Sequence, residues 1–214
     1  MTPAQERAYE EGWARWGLAF QPHQLLDEEQ LFRPGTPRIV EIGFGMGQSL
    51  LNTAAAHPDR SYLGIEVHRP GVGKLLMGVL AQSLDNVRVM CHDAVEIFEQ
   101  CLAPKTLDAV HIFFPDPWPK KKHHKRRLIQ PAFVELLASR LKATGHIHLA
   151  TDWEPYAEHM IEVLECAPSL RNRYGAGSYA PRPDDRPETK FEARGRRLGH
   201  GVWDLIYELS QDAV

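Results

Sequence analysis

The fold of this chain is decided by RIVEIGFGMG, residues 38–47. Its first six residues are rich in β-branched side chains and predict a short buried strand. Gly43, Gly45 and Gly47 then permit a tight turn and let a ligand come close to the main chain. A helix is expected to begin at Gly47, and its first turn would present free N–H groups to that ligand.

Short apolar runs and helical patterns alternate along the rest of the chain. Strands are predicted at 38–43, 61–67, 87–91, 107–114, 145–151 and 201–209, and helices from Thr2-Pro3 and at 47–57, 72–84, 93–101, 131–141 and 153–166, the last capped by Asp152. This alternation favours an α/β fold with a doubly wound, mostly parallel, Rossmann-like sheet, for which seven strands are expected. Residues 1–36 are expected to form an N-terminal arm and connector before a single domain at 37–214.

The bulk composition is that of an ordinary globular protein. The chain has 214 residues, of which 43% are hydrophobic and 25% are charged. Its three cysteines are odd in number and lack metal-like spacing, which is typical of reduced thiols in the cytosol. The longest uncharged apolar-rich run, near 75–84, is too short to span a bilayer. We therefore expect a cytoplasmic protein that does not insert into membranes and holds no metal.

Four acids stand at or just after the ends of predicted strands. They are Glu41, Glu66, Asp93 and Asp116. In doubly wound sheets ligands bind outside the carboxyl ends of the strands, so these acids are expected to converge on one crevice. Each acid has an alternative interpretation as a helix cap or a solvated side chain, and a simple cap is most plausible for Asp93.

The glycine spacing bears on the kind of cofactor. A dinucleotide-binding GxGxxG motif would place its last glycine at Gln48, and Glu41 would repel a pyrophosphate. An acid at Glu41 attracts a cationic sulfonium or ammonium group, which favours S-adenosylmethionine over NAD. Glu66 would accept hydrogen bonds from the ribose hydroxyls, and Asp93 from the adenine amino group.

A second unusual stretch is FFPDPWPKKKHHKRR, residues 113–127. Prolines on both sides stiffen the backbone around Asp116, and Trp118 follows. The eight residues Lys120–Arg127 contain six Lys or Arg and two His; they supply +6 of a net charge of −3, so the remainder carries −9. This pattern predicts contact with a polyanion such as nucleic acid, with a solvated basic loop as the alternative.

At these motifs the sequence resembles the tRNA (guanine-N7-)-methyltransferase family. The resemblance rests on EIGFGMG (41–47), GIEVH (64–68), FFPDPWPKKKHHKRR (113–127), TDWEPYAEHM (151–160) and TKFEARGRRLGHGVWDLIYE (189–208). It implies a class I S-adenosylmethionine-dependent methyltransferase domain at 37–214. It also implies methyl transfer to guanine N7 at position 46, in the tRNA variable loop, to give 7-methylguanosine.

The resemblance also implies roles for individual residues. The catalytic residue would be Asp116, and the cofactor would be bound by Glu41, Gly43, Gly45, Gly47, Glu66, Asp93 and Asp116. The substrate nucleotide would be bound by Lys120, Asp152, Thr189, Lys190, Phe191 and Glu192. The RNA backbone would be bound by Lys122, His123, His124, Lys125, Arg126 and Arg127.

Three other functions fit parts of the sequence. An RNA-binding protein with a vestigial nucleotide fold would share the basic run but would not bind S-adenosylmethionine. An amino-directed nucleic-acid methyltransferase would carry a turn similar to PDPW, residues 115–118, but with two consecutive prolines. An NAD-dependent oxidoreductase is disfavoured by Glu41 and Gln48.

Overall fold

The computed structural model describes residues 1–184, 186, 192 and 201–210. The chain forms two compact units, Met1–Leu107 and Asp108–Val214. Both combine strands with helices, and the α/β class expected from the sequence is confirmed. Eight strands form within the described residues, instead of the seven expected.

The first unit contains a parallel sheet with strands in the order β1-β4-β3-β2. Its strands are β1 (Gly17–Leu18), β2 (Arg38–Ile42), β3 (Ser61–Ile65) and β4 (Val87–Met90). Its helices are α1 (Pro3–Trp16), α2 (Glu28–Leu31), α3 (Gln48–Ala56), α4 (Arg69–Gln82) and α5 (Ala94–Gln100). Because the three longer strands run parallel, the residues that follow them lie at the same edge of the sheet.

Helix α1 begins where the sequence predicted it. Thr2 and Gln5 form a reciprocal capping box, and Pro3 occupies the first turn, where its missing N–H costs nothing. The helix packs along α4. Trp16 is buried, and its indole Nε1–H donates to the carbonyl of Leu84 at 2.8 Å. Part of the segment expected as an arm is therefore tied to the first unit.

The second unit has strands in the order β5-β6-β8-β7. Its strands are β5 (Leu107–Phe113, which starts at the last residue of the first unit), β6 (Leu141–Thr151), β7 (Leu170–Asn172) and β8 (Trp203–Leu209). Its helices are α6 (Pro131–Arg140), α7 (Glu154–Glu165) and a 3₁₀ helix over Lys121–Arg126. Strand β8 runs antiparallel to both β6 and β7.

The register of β8 places Asp204 beside the carboxyl end of β6. Thr151 pairs with Trp203, and Ala150 pairs with Asp204. Residues near the start of β8 therefore stand beside the carboxyl end of β6, the end at which parallel sheets of this class bind ligands. Among the described residues, no helix is both long and apolar enough to cross a bilayer.

Candidate functional site

The glycine turn after β2 depends on left-handed backbone at three positions. The φ angles are 72° at Gly43, 59° at Gly45 and 75° at Gly47, values that side-chain-bearing residues adopt only with strain. A Cβ on Gly47 would lie 2.7 Å from the Cβ of Leu75 in α4. Cβ atoms added at Gly43 and Gly45 would meet nothing within 4 Å. The main chain at those two positions is therefore open to an approaching molecule.

Glu66, directly after β3, holds this turn in place. Its Oε2 accepts the N–H of Gly45 at 2.7 Å. Its Oε1 accepts the N–H groups of Val67 at 2.8 Å and His68 at 2.9 Å. A carboxylate has about four acceptor positions, so Oε2 retains capacity for a further donor. This is the arrangement expected if Glu66 also accepts a ribose hydroxyl.

Glu41, in β2, is an acid in an apolar setting. The residue is 4% exposed, and burial raises the pKa of its carboxyl from 4.5 to about 8. Desolvation disfavours the charged form until a cation approaches. The two acids of this edge, Glu41 and Glu66, lie beside an open glycine turn. Carboxylates there can attract a cationic centre and accept hydrogen bonds from hydroxyl groups, which fits a ligand that carries both.

Asp93 follows β4 and caps α5. Its Oδ1 accepts the N–H groups of Val95 at 2.9 Å and Glu96 at 3.2 Å. The capping alternative considered for this residue is thus present in the structure. Its proposed contact with adenine stays a prediction.

Gly71 belongs to this edge but was not predicted from the sequence. A Cβ at this position would lie 2.0 Å from the carbonyl oxygen of Gly45, closer than any contact that atoms tolerate. The first turn of α4 therefore abuts the glycine turn so closely that only glycine fits. A glycine between Pro70 and Val72, at the start of a helical pattern, was the available signal.

In the second unit Asp116 is exposed on a strained turn after β5. Phe114 has a φ of 53° and Trp118 a φ of 43°, both in the left-handed region that bulky residues avoid. The N–H of Phe114 donates to the carbonyl of Ala150 at 2.7 Å, which ties the start of the turn to β6. Strained backbone of this kind persists only where surrounding contacts stabilise it, and it occurs most often at functional sites.

The cationic run forms the 3₁₀ helix and its flanks. Lys120, Lys121, Lys122, Lys125 and Arg126 are exposed, whereas His123 and His124 are half-buried. The guanidinium of Arg126 lies 5.0 Å from the centroid of the Trp118 ring, and the His123 ring meets Trp118 edge-on at 5.8 Å. The helix therefore presents a row of positive charge immediately beside the Asp116 turn.

Arg127 differs from the rest of the cationic run in its surroundings, and the RNA-binding role expected for it stays a prediction. Its side chain is buried, with the residue only 4% exposed. Nε donates to the carbonyl of Pro117 at 2.9 Å, and the guanidinium stacks over Tyr156 at 4.8 Å from the ring centroid. A guanidinium in this position faces the interior of the unit.

The remaining predicted substrate residues differ in their surroundings. Asp152 follows β6 but does not cap α7 as expected, because the N-cap residue is Trp153. Glu192 is 1% exposed, and its carboxylate accepts hydrogen bonds from Nη1 and Nη2 of Arg186 at 2.8 and 3.1 Å. It also forms an ion pair with Nε of Arg182 at 2.9 Å. Thr189, Lys190 and Phe191 lie outside the described residues. The substrate contacts expected of this set stay predictions.

Arg186 connects Glu192 to β8, a link that the sequence did not reveal. Its Nη2 donates to Oδ2 of Asp204 at 3.1 Å, and its Nε lies 2.8 Å from Oδ1 in an ion pair. Nε2 of His148 in β6 is 2.7 Å from the same carboxylate. Three buried polar residues therefore anchor Glu192 to two strands, and removing Arg186 would leave the buried Asp204 carboxylate without its guanidinium partner.

Each unit carries its own chemistry. The first offers acids and open main chain to a cationic, hydroxylated ligand, and the second offers an exposed acid followed by a cationic helix. Among the described residues, no group of three or more His, Cys, Asp or Glu side chains is arranged to hold a metal.

Comparison with known proteins identifies the family. The Methyltransf_4 family, described as "Putative methyltransferase", matches residues 35–205. A tRNA (guanine-N(7)-)-methyltransferase of Chromohalobacter salexigens is 57% identical over 210 residues, which cover 97% of this chain and 85% of that protein. This chain belongs to the tRNA (guanine-N7-)-methyltransferase family. The corresponding protein of Ectopseudomonas mendocina is 54% identical over 208 residues, covering 97% of this chain and 87% of that protein.

A solved structure supports the fold. The 16S rRNA methyltransferase KamB superposes with a TM-score of 0.61 at 16% identity, covering 87% of this chain and 94% of that one. The resemblance drawn from the sequence is confirmed, and the amino-directed and NAD-dependent alternatives are set aside by family membership. Methyltransferases of the tRNA (guanine-N7-)-methyltransferase family use S-adenosylmethionine, the cofactor expected from the glycine spacing.

Replacing Gly71 by alanine is expected to weaken S-adenosylmethionine binding by more than about tenfold, because the new methyl displaces the main chain of the glycine turn. Isothermal titration calorimetry measures this. Gly78→Ala, in the same helix, is the matched control: its Cβ would meet only the flexible end of Leu51, at 2.4 Å. Equal affinities for the two variants would contradict the tight approach of α4 to the turn.

The buried Glu41 carboxyl predicts a pH-dependent stability for the ligand-free protein. Its pKa lies above that of the unfolded chain, so the folded state binds the extra proton between pH 4.5 and about 8. Stability should therefore fall as pH rises through that window, by on the order of a few kcal/mol. Urea unfolding at pH 5 and pH 8.5 should show a smaller fall for Glu41→Gln. Parallel pH profiles for the two proteins would contradict this assignment.

Proposed function

We propose that this protein transfers the methyl group of S-adenosylmethionine to N7 of guanine 46 in the variable loop of tRNA, forming 7-methylguanosine. The activity on tRNA guanine N7 is named for relatives that match nearly the whole chain, and position 46 is what the family resemblance of the sequence implies. The observation that carries the proposal is the exposed Asp116 on a strained turn that leads directly into a cationic helix. Because the substrate is tRNA, the protein would work in the cytoplasm.

The methyl donor is assigned to the first unit. Glu66 would accept the ribose hydroxyls, Asp93 would contact the adenine, and the open main chain at Gly43 and Gly45 would lie along the ligand. Glu41 would become ionised as the cationic ligand binds, since an opposite charge stabilises the carboxylate. When bound, S-adenosylmethionine supplies an activated methyl group on sulfur.

Methyl transfer to guanine requires the protein mainly to position the base and to stabilise charge. Guanine N7 carries a lone pair and no proton, so no general base is obligatory. In-line approach of N7 to the methyl carbon is a problem of orientation, which can contribute several kcal/mol to the barrier reduction. The methylated ring is cationic, and a carboxylate at Asp116 would stabilise that charge as it develops.

The exposed cations would hold the tRNA backbone. Lys121, Lys122 and Lys125 project from the 3₁₀ helix, and each phosphate that they neutralise releases counterions. The target base takes part in tRNA tertiary structure and would leave its stack before reaction. Trp118, with Arg126 over its ring at 5.0 Å, stands beside Asp116 and would contact the displaced base.

The proposal is tested with an unmodified tRNA transcript and methyl-labelled S-adenosylmethionine. After digestion, the label should appear in 7-methylguanosine. A matched transcript with adenine at position 46 should remain unlabelled. Label in another nucleoside, or equal labelling of the two transcripts, would reject the assignment of the atom or of the position.

Asp116→Asn keeps the shape of the side chain and removes its charge. We expect the rate constant at saturating substrates to fall about a hundredfold, the usual scale for one group that stabilises transition-state charge. Asp59→Asn, an exposed acid before β3, is the control. A rate within twofold of wild type for Asp116→Asn would remove this residue from the mechanism.

Neutralising Lys121 and Lys122 by glutamine should weaken tRNA binding and flatten its salt dependence. The slope of log affinity against log salt should decrease by about one for each phosphate that is no longer neutralised. Filter binding at several salt concentrations gives the slope. Arg7→Gln, an exposed cation in α1, provides the comparison. An unchanged slope in the double lysine variant would show that the 3₁₀ helix does not bind phosphates.

A further inference from the structure

The cationic run is divided into two kinds of residue. Its lysines and Arg126 are exposed, whereas the last member, Arg127, is 4% exposed. Burying a guanidinium is costly unless its donors and its charge are compensated. Its contacts therefore indicate what it does.

Arg127 is held by the interior of the second unit. Its side chain donates from Nε to the carbonyl of Pro117 at 2.9 Å, and its guanidinium lies 4.8 Å from the ring centroid of Tyr156. Tyr156 is fully buried in α7, and its hydroxyl accepts the N–H of Ile129 at 3.4 Å. The backbone N–H of Arg127 donates to the carbonyl of His124 at 3.0 Å, which closes the 3₁₀ helix.

The Pro117 carbonyl is an informative acceptor. It belongs to the peptide that joins Pro117 to Trp118, so its orientation sets the φ angle of Trp118, which is 43°. Left-handed backbone is unfavourable for a residue with a Cβ. A hydrogen bond from a charged donor is stronger than one between neutral groups, and here it offsets that unfavourable conformation. Asp116 is the residue immediately before this peptide's proline.

We propose that Arg127 is a positioning residue, which fixes the Pro117–Trp118 peptide and thereby the direction of the Asp116 carboxylate, and that it does not bind RNA. This inference rests on the proposed function, because the position of Asp116 matters for rate only if Asp116 acts on the guanine. Under this proposal the cationic run has two roles. Its exposed lysines and Arg126 bind the polyanion, and the buried Arg127 holds the Asp116 turn.

A phosphate-binding role would require different surroundings. To reach a phosphate, Arg127 would leave the Tyr156 ring and release the Pro117 carbonyl. Trp118 would then lose a constraint on its strained φ angle, at the site where base and acid are to be aligned. The neighbouring Arg126 is exposed and needs no such rearrangement.

The test compares Arg127→Met with Lys125→Met, an exposed cation in the 3₁₀ helix that Arg127 follows. Methionine fills a similar volume but donates no hydrogen bond. For Arg127→Met, the single-turnover methylation rate at saturating tRNA and cofactor should fall at least about tenfold, with the salt slope of tRNA binding unchanged. For Lys125→Met, the slope should decrease by about one. A slope reduced equally in both variants, or a wild-type rate in Arg127→Met, would overturn the proposal.

Arg127→Lys covers the case in which Arg127→Met does not fold. Lysine keeps the charge but lacks the planar donor that reaches the Pro117 carbonyl while stacking on Tyr156. We expect the same loss of rate with a wild-type salt slope, and full activity would overturn the proposal.

A readout independent of activity separates this inference from the proposed function. In protein labelled with 5-fluorotryptophan, the ¹⁹F resonance of Trp118, assigned with Trp118→Phe, should shift in Arg127→Lys and stay in place in Lys125→Met. If wild-type protein did not methylate tRNA, the proposed function would fail. The shift of the Trp118 resonance in Arg127→Lys would still show that Arg127 fixes the conformation of the turn. An unmoved Trp118 resonance would reject the positioning role.

Discussion

The glycine turn depends on one carboxylate, that of Glu66, which accepts three backbone N–H groups from 2.7 to 2.9 Å. The turn has left-handed backbone at three positions, and such a segment has few ways to satisfy its own polar groups. Glu66 supplies an acceptor for Gly45 and joins the turn to the end of β3. Gly71 completes the arrangement by leaving space where any side chain would strike the Gly45 carbonyl. The surface to which we assign the methyl donor is thus defined mainly by backbone.

The second unit uses buried guanidinium groups for a comparable purpose. Arg127 donates to the chain next to Asp116, and Arg186 binds Glu192 and Asp204 in a buried cluster. Arg127 and Arg186 are both buried, and each holds in place an acid that is expected to act on substrate, Asp116 or Glu192. Buried charge of this kind adds little net stability, because desolvation offsets the attraction. Its benefit lies in a defined geometry.

Much of the architecture was predictable, since long alternating patterns specify the class of fold. The strands at β2 to β6 and at β8, and the helix start at Thr2, follow from apolar runs, capping residues and prolines. Strands β1 and β7 contain two and three residues, too few for a period to appear. The burial of Arg127 was hidden because the residues around it have the same charge. The link from Arg186 to Asp204 joins positions brought together only by the pairing of β6 with β8. Gly71 is needed because of a neighbour 26 positions earlier in the sequence.

The segregation of charge in the chain has a consequence for turnover. The run Lys120–Arg127 carries +6 within a chain whose remainder carries −9, so a phosphate backbone is attracted by one short segment and opposed by the other charges on average. With the tRNA backbone held by this segment as proposed, encounters that begin elsewhere would be short-lived, and the polyanion would arrive oriented towards Asp116. Methylation would then place a new positive charge on the guanine beside the same segment. The cations proposed to bind the tRNA would repel the product base, and this repulsion would hasten its departure.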